Sequence, residues 1–272
     1  MITITDDISR VVTIPQPAQR IVCLVPSITE TLFTLGAGDR VVGITDYCIH
    51  PVNEVKARPR VGGTKNFSEA RVLELMPDLV IANAEENRRH QIEKLERAGL
   101  KVFVTFPKSI DGCAKMIADV AALAGTEATA GPILAAIERA RSDARACAPD
   151  PPCPILCPIW KNPYMTVNRN TYVDSVIRGS GGVNIFEHLP ERYPQFQLKD
   201  AMSRMPEAIL LPTEPYHFTE ADISDFLDAG RATPAVRNGR IHIIEGELLT
   251  WYGPRLPRAL GEISAILRSV EL

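Results

Sequence analysis

A chain of 272 residues with 45% hydrophobic and 23% charged side chains has the make-up of a globular protein and the length for two α/β lobes. Its net charge of −3, with both signs interspersed, leaves no basic stripe and excludes nucleic acid as an expected partner. No run of about 18 apolar residues is present, so no transmembrane helix is expected.

Residues 1–7 lack the basic start and apolar core of a secretory signal, which leaves a periplasmic and a cytoplasmic address both open. Residues 2–14 alternate β-formers around Asp6-Asp7 and read as a hairpin. The first lobe then reads as strand 20–25, helix 27–36, strand 40–44, helix 68–75, strand 78–82, helix 87–98 and strand 101–105. Strands apolar on both faces and separated by helices predict a parallel sheet covered on two sides.

From 109 to 148 an Ala-rich helical stretch takes over, with Gly125 ending one helix, Thr126 starting the next, and Pro132 tolerated in or near the first turn of the second. A helix over 126–146 would be about 30 Å long and would act as a stiff strut, predicting small motion between lobes. The second lobe reads as strands near 153–159, 207–211 and 240–244 and a last helix from about Pro254 to Val270. The fold class is α/β, two Rossmann-like lobes with parallel sheets joined by one long helix: 1–108, a helical segment 109–150, and 151–272. The six cysteines form no CxxC and are expected as small buried groups, not a disulfide framework.

An internal repeat supports two lobes on one plan. Phe67, Met76-Pro77-Asp78-Leu79-Val80-Ile81-Ala82 and Glu85 recur 129 positions on as Phe196, Met205-Pro206-Glu207-Ala208-Ile209-Leu210-Leu211 and Glu214. The opening strands, Arg20-Ile21-Val22 and Pro154-Ile155-Leu156, correspond with an offset that drifts by a few residues.

Ligands of open parallel sheets sit beyond the carboxyl ends of the strands. There the sequence places Pro26, Ser27, Tyr47, Cys48, His50, Lys65, Asn66 and Asn83 in the first lobe, and Trp160, Tyr164, Tyr216, Trp251, Tyr252 and Arg255 after it. Five amphipathic rings among them would cover apolar ligand surface, while Lys65, Arg88 and Arg255 would answer carboxylates, amides or phosphate. GxSxG, Walker, GxGxxG and HExxH patterns are all absent, so no catalytic residue is assigned. The five histidines form no helical pair; a bare-metal site would have to draw on Cys48, His50 and His217 from separate loops.

These features together resemble the class III substrate-binding proteins of ABC importers. The resemblance rests on the hairpin leading into Arg20-Ile21-Val22, the Pro26-Ser27-Ile28-Thr29-Glu30 turn, Met76-Pro77-Asp78-Leu79-Val80, the bridging helix, and Trp251-Tyr252 through Pro257-Arg258. It implies a non-enzymatic, monomeric receptor of the cell envelope with no cofactor of its own, holding a metal chelate in a cleft between lobes. The cobalamin-binding branch is closest, with Trp251 at the position of a ligand-packing aromatic; a ferric siderophore or haem is the alternative cargo. A chelatase- or nitrogenase-like metal binder using Cys48 and His50 is the rival of another class. The resemblance also implies docking on a permease dimer through one acidic residue per lobe, for which the repeat supplies Glu85 and Glu214, with Glu86 and Glu220 as alternatives.

Overall fold

The structure is a computed structural model and describes residues 1–268; Val270, expected to end the last helix, lies outside the described residues. The chain divides into two compact units, one formed by Met1–Pro107, Asp111–Ala135 and Tyr252–Pro254, the other by Lys108–Ile110, Ala136–Trp251 and the residues from Arg255 onward.

The first unit opens on an antiparallel hairpin, β1 (Ile2–Thr5) and β2 (Val11–Ile14), in register from Ile2 opposite Ile14 to Thr5 opposite Val11. Asp6 fixes its turn, accepting from the Ile8 and Arg10 amides at 3.1 and 2.8 Å and from the Arg10 guanidinium. There follow β3 (Ile21–Cys23), α1 (Pro26–Thr34), β4 (Val41–Ile44), α2 (Glu69–Glu74), β5 (Leu79–Asn83), α3 (Arg89–Arg97), β6 (Val102–Thr105) and α4 (Ile110–Ala124). The sheet runs β4-β3-β5-β6, all parallel, and every residue of β3, β5 and β6 is buried. On one face Val22, Val80, Ala82, Val102 and Val104 pack with Phe67, Val72, Ile92 and Leu95 from α2, α3 and the loop before them. That two-sided burial is why these strands read as unbroken apolar runs.

Helix α5 (Glu127–Ala146) carries the chain from one unit to the other. Pro132 lies inside it, in the second turn, next to the first turn near which the sequence reading placed it. A proline there withholds one amide from the helical ladder, and the bond to the Ala128 carbonyl is lost.

The second unit contains β7 (Cys153–Leu156), α6 (Tyr172–Gly179), β8 (Gly182–Asn184), α7 (Leu198–Ser203), β9 (Ala208–Pro212), α8 (Glu220–Ala229), α9 (Pro234–Arg237), β10 (Ile241–Ile244), α10 (Gly246–Thr250) and α11 (Leu256–Arg268). Its sheet runs β8-β7-β9-β10, again all parallel, so each strand has a counterpart in the first unit.

The repeat read in the sequence is a repeat of structure. Both ends of α7 and of β9 lie 129 positions after those of α2 and β5. Phe67 and Phe196 each enter their own core, and both repeated methionines adopt left-handed backbone, φ 45° at Met76 and 55° at Met205. The Asp78 amide donates to the Arg20 carbonyl at 2.9 Å, and the Glu207 amide to that of Pro154 at 2.8 Å, so the drifting opening strands are equivalent too.

Candidate ligand-binding site

In the first unit the strand-end loops are tied to one another by one buried carboxamide. Asn87, 5% exposed, donates through Nδ2 to the Leu24 carbonyl at 3.2 Å and the Thr64 carbonyl at 2.9 Å, while its Oδ1 accepts from the Asn83 amide at 2.8 Å. Asn83, itself 1% exposed, accepts from the Glu85 amide at 2.8 Å and donates to Thr105 Oγ1 at 3.2 Å. Loops following β3, β4 and β5 are thus fixed without a helix between them. Lys65 adds a further tie, its ammonium donating to the Glu85 carbonyl.

The loop after β4 presents an apolar surface. Tyr47 is 62%, Ile49 48% and Val52 53% exposed, within six residues of one another in the chain. Arg60 holds this loop from beneath, donating to the Thr45 and Cys48 carbonyls at 2.6 and 2.9 Å. Gly63 lets Tyr47 and Asn66 approach: a Cβ there would collide with Asn66 Oδ1 and stand 3.3 Å from the Tyr47 ring. His50 is half-buried, and Pro26 and Ser27 are buried as the first residues of α1.

Cys48 is a correction to the metal-site alternative. Its thiol is fully buried, within 3.2 Å of Thr29 Oγ1 and of Thr45 Oγ1, and burial raises its pKa against the opposing hydrogen bonds. A ligand thiol must lose its proton, and this one is held neutral. Among the described residues no group of three or more His, Cys, Asp or Glu comes together to hold a metal. Cys147 is exposed and the other five cysteines are buried, so a disulfide-exchange reagent is expected to titrate one thiol in the native protein and six after denaturation; a second fast thiol, if Cys48→Ala removes it, would contradict the burial of Cys48.

In the second unit Trp160 stands at the end of the β7 loop, 43% exposed, with Tyr216 edge-on at 6.0 Å between ring centres. Tyr164 is turned inward: its ring lies 5.7 Å from both Phe196 and Phe226, and its hydroxyl donates to Asp225 at 2.7 Å. Trp251 is only 7% exposed; its indole N–H donates to Glu214 Oε2 at 3.1 Å and Arg255 stacks on it at 5.2 Å. Arg255 in turn bonds Glu245 at 2.5 Å. Tyr252, 7% exposed, belongs with the first unit, where the following Gly253, φ +117°, leaves no room for a Cβ beside Thr31 Oγ1. Of the five rings read from the sequence and Tyr47, each unit thus presents one that is open, Tyr47 in the first and Trp160 in the second, while Tyr164, Trp251 and Tyr252 are turned inward.

Glu214 is half-buried, and burial raises its carboxyl pKa, with the nearby Glu247 charge adding to the effect and the Trp251 and Thr250 donors opposing it. The folded protein therefore holds this proton more tightly than the unfolded chain. Its contribution favours folding in acid and is lost as pH rises from the ordinary carboxylate value through the folded one. Glu214→Gln removes that loss, so its melting temperature relative to the parent's should rise as pH climbs above the ordinary carboxylate value; a pH-independent difference would mean that burial does not raise the Glu214 pKa.

Sequence reading missed Asn87, Ile49 and Val52, and the acids Asp222 and Asp225 that face the Trp160 loop. The spacing of Asn83 and Asn87 just past a buried strand was the one signal available for the first of these.

Among proteins of known function, the chain is 24% identical over 255 residues to the vitamin B12-binding protein of Vibrio cholerae serotype O1, covering 93% of this chain and 91% of that one. The crystal structure of the periplasmic vitamin B12 binding protein of Vibrio cholerae superposes with a TM-score of 0.80 at 23% identity, over 94% of this chain and 98% of the other, which shows the shared fold. A periplasmic heme-binding protein from Roseiflexus sp. RS-1 superposes with a TM-score of 0.79 at 25% identity, over 93% and 98%. The family model described as periplasmic binding protein matches residues 21–248, and the chain belongs to that family.

Proposed function

We propose that this protein is the receptor of an ABC importer, working outside the cytoplasmic membrane, and that its cargo is a corrinoid of the cobalamin type. It is a binding protein and not an enzyme, in keeping with its family. The observation that carries the choice of cargo is the open aromatic ring that each unit presents past its strands, Tyr47 at 62% exposure in the first and Trp160 at 43% in the second. A broad, largely apolar macrocycle with polar amide fringes suits such rings, which cover apolar area, while the exposed Asn66, and Lys65 through the protons not given to the Glu85 carbonyl, answer amides. Likeness to vitamin B12-binding proteins over nearly the full chain supports the same reading.

Haem is the second reading, favoured by His217, exposed beside Tyr216, as an axial ligand. The two are separated by adding hydroxocobalamin and hemin to separate samples: a corrinoid receptor quenches its tryptophan emission with the first, and a haem receptor shifts the Soret band with the second. Binding of hemin alone overturns the corrinoid assignment.

For docking we place one acidic side chain on each unit, received by cationic residues of a permease dimer. Glu85, with Glu86 beside it, serves the first unit. On the second, Glu220 is exposed in the first turn of α8, whereas the Glu214 carboxylate is taken up by Trp251 and Thr250. Replacing Glu85 and Glu220 together by Ala should lower stimulation of the transporter's ATPase about tenfold with ligand affinity unchanged. Loss of both in parallel would contradict separate docking and binding surfaces.

A further inference from the structure

The loop that presents Trp160 is bolted to α8 by a compact charged cluster. Lys161 Nζ lies 2.7 Å from Asp222 Oδ1 and 2.8 Å from Asp225 Oδ2, and Tyr164 donates to that same Asp225 oxygen at 2.7 Å. Asp222 is anchored independently: it closes the capping box of α8, accepting from the Thr219 amide at 2.9 Å and from its hydroxyl at 3.0 Å. Between Lys161 and Tyr164 the chain turns back on itself, the Met165 amide donating to the Trp160 carbonyl at 3.1 Å and the Ile159 amide to that of Met165 at 2.8 Å. The turn's two anchoring side chains both bond to one helix, and the residue just before them, Trp160, is exposed.

We propose that Lys161 is a positioning residue whose bonds to Asp222 and Asp225, together with that of Tyr164, hold Trp160 in its binding orientation. A large exposed ring on a short turn would otherwise sample several rotamers, and fixing it beforehand removes that ordering cost from ligand binding. The arrangement is suited to the task because Asp222 is already committed to its own helix, so the latch is referred to α8 and through it to the second core, where Phe226 is fully buried. Burial pulls on Asp222, yet the Lys161 and Thr219 donors outweigh it and lower its pKa; Asp225 is lowered by Lys161 and then Tyr164. Both acids stay ionised and the latch stays closed at neutral pH. The proposal rests on the reading of Trp160 as a ligand contact.

The test is a double-mutant cycle on cobalamin affinity with Lys161→Met and Trp160→Ala, run in parallel with Tyr164→Phe, which keeps the ring and removes only its bond to Asp225. Lys161→Met and Tyr164→Phe should each weaken binding, the first by about tenfold, and neither should weaken it further once Trp160 is Ala. Equal losses in the parent and the Trp160→Ala background would overturn the latch while leaving the ligand reading intact. No effect of Trp160→Ala by itself would instead overturn the ligand reading. If Lys161→Met does not fold, Tyr164→Phe carries the same cycle, and full affinity in it would overturn the proposal.

Discussion

Replacing Trp160 by Ala lowers affinity for cobalamin by about 30- to 60-fold and leaves the fold intact. The ring is 43% exposed, so a ligand seated on it removes on the order of 100 Å² of largely apolar surface from water. At about 25 cal/mol per Å² that is worth about 2–2.5 kcal/mol, and each 1.4 kcal/mol, roughly, is a factor of ten. Within the protein the ring's aromatic partner is the edge-on Tyr216, a contact worth about 1 kcal/mol, so the melting temperature should fall by no more than about 4 °C. Fluorescence or calorimetric titration beside thermal melting by circular dichroism checks both halves. Unchanged affinity would show that the exposed ring is not a contact, and a collapse of stability would show that it is structural.

Asn87→Ala should be the most destabilising polar substitution near the site. Its carboxamide is 5% exposed and serves three backbone partners, the Leu24 and Thr64 carbonyls and the Asn83 amide. Truncation leaves buried groups without partners at about 1–3 kcal/mol each, and an alanine cavity is too small for a water to reach all three. A total near 3 kcal/mol corresponds to a fall of about 6–12 °C in melting temperature. Because the same bonds hold the loops after β3, β4 and β5 together, ligand affinity should drop as well, through looser loops and not a lost contact. Asn87→Asp offers a control: it keeps the acceptor for the Asn83 amide but sets a carboxylate against two carbonyls, and should be no better than Ala. A melting temperature within about 2 °C of the parent in Asn87→Ala would contradict the clamp.

What the sequence disclosed follows from what is local. Buried parallel strands announce themselves as apolar runs, and the duplication survives in Met76-Pro77 and Met205-Pro206 because the same left-handed corner feeds a central strand in each unit. Strand β8 escaped because it is three residues long and begins with Gly182, leaving no periodicity to detect. Helices α6 and α8 do carry start signals, Thr171 three residues before Asp174 and Thr219 three before Asp222, which a finer reading of caps would have found. The side chains of the site are another matter. Strand-end position picked out Tyr47 and Trp160, but it could not tell them from Tyr164 and Trp251, whose rings are turned inward by partners elsewhere in the chain. Asp225 lies 61 positions from Tyr164 and Leu24 lies 63 from Asn87, and pairings of that separation are made by the fold alone.

Isothermal titration of the purified protein with cyanocobalamin, with hemin as the parallel titrant, decides whether the cargo is a corrinoid. The expected result is a single event of one corrinoid per chain with a dissociation constant below about 1 µM, a free energy near −8 kcal/mol. No heat and no tryptophan quenching with the corrinoid at about 100 µM, a concentration at which any binding tighter than about −5 kcal/mol would register, would contradict it.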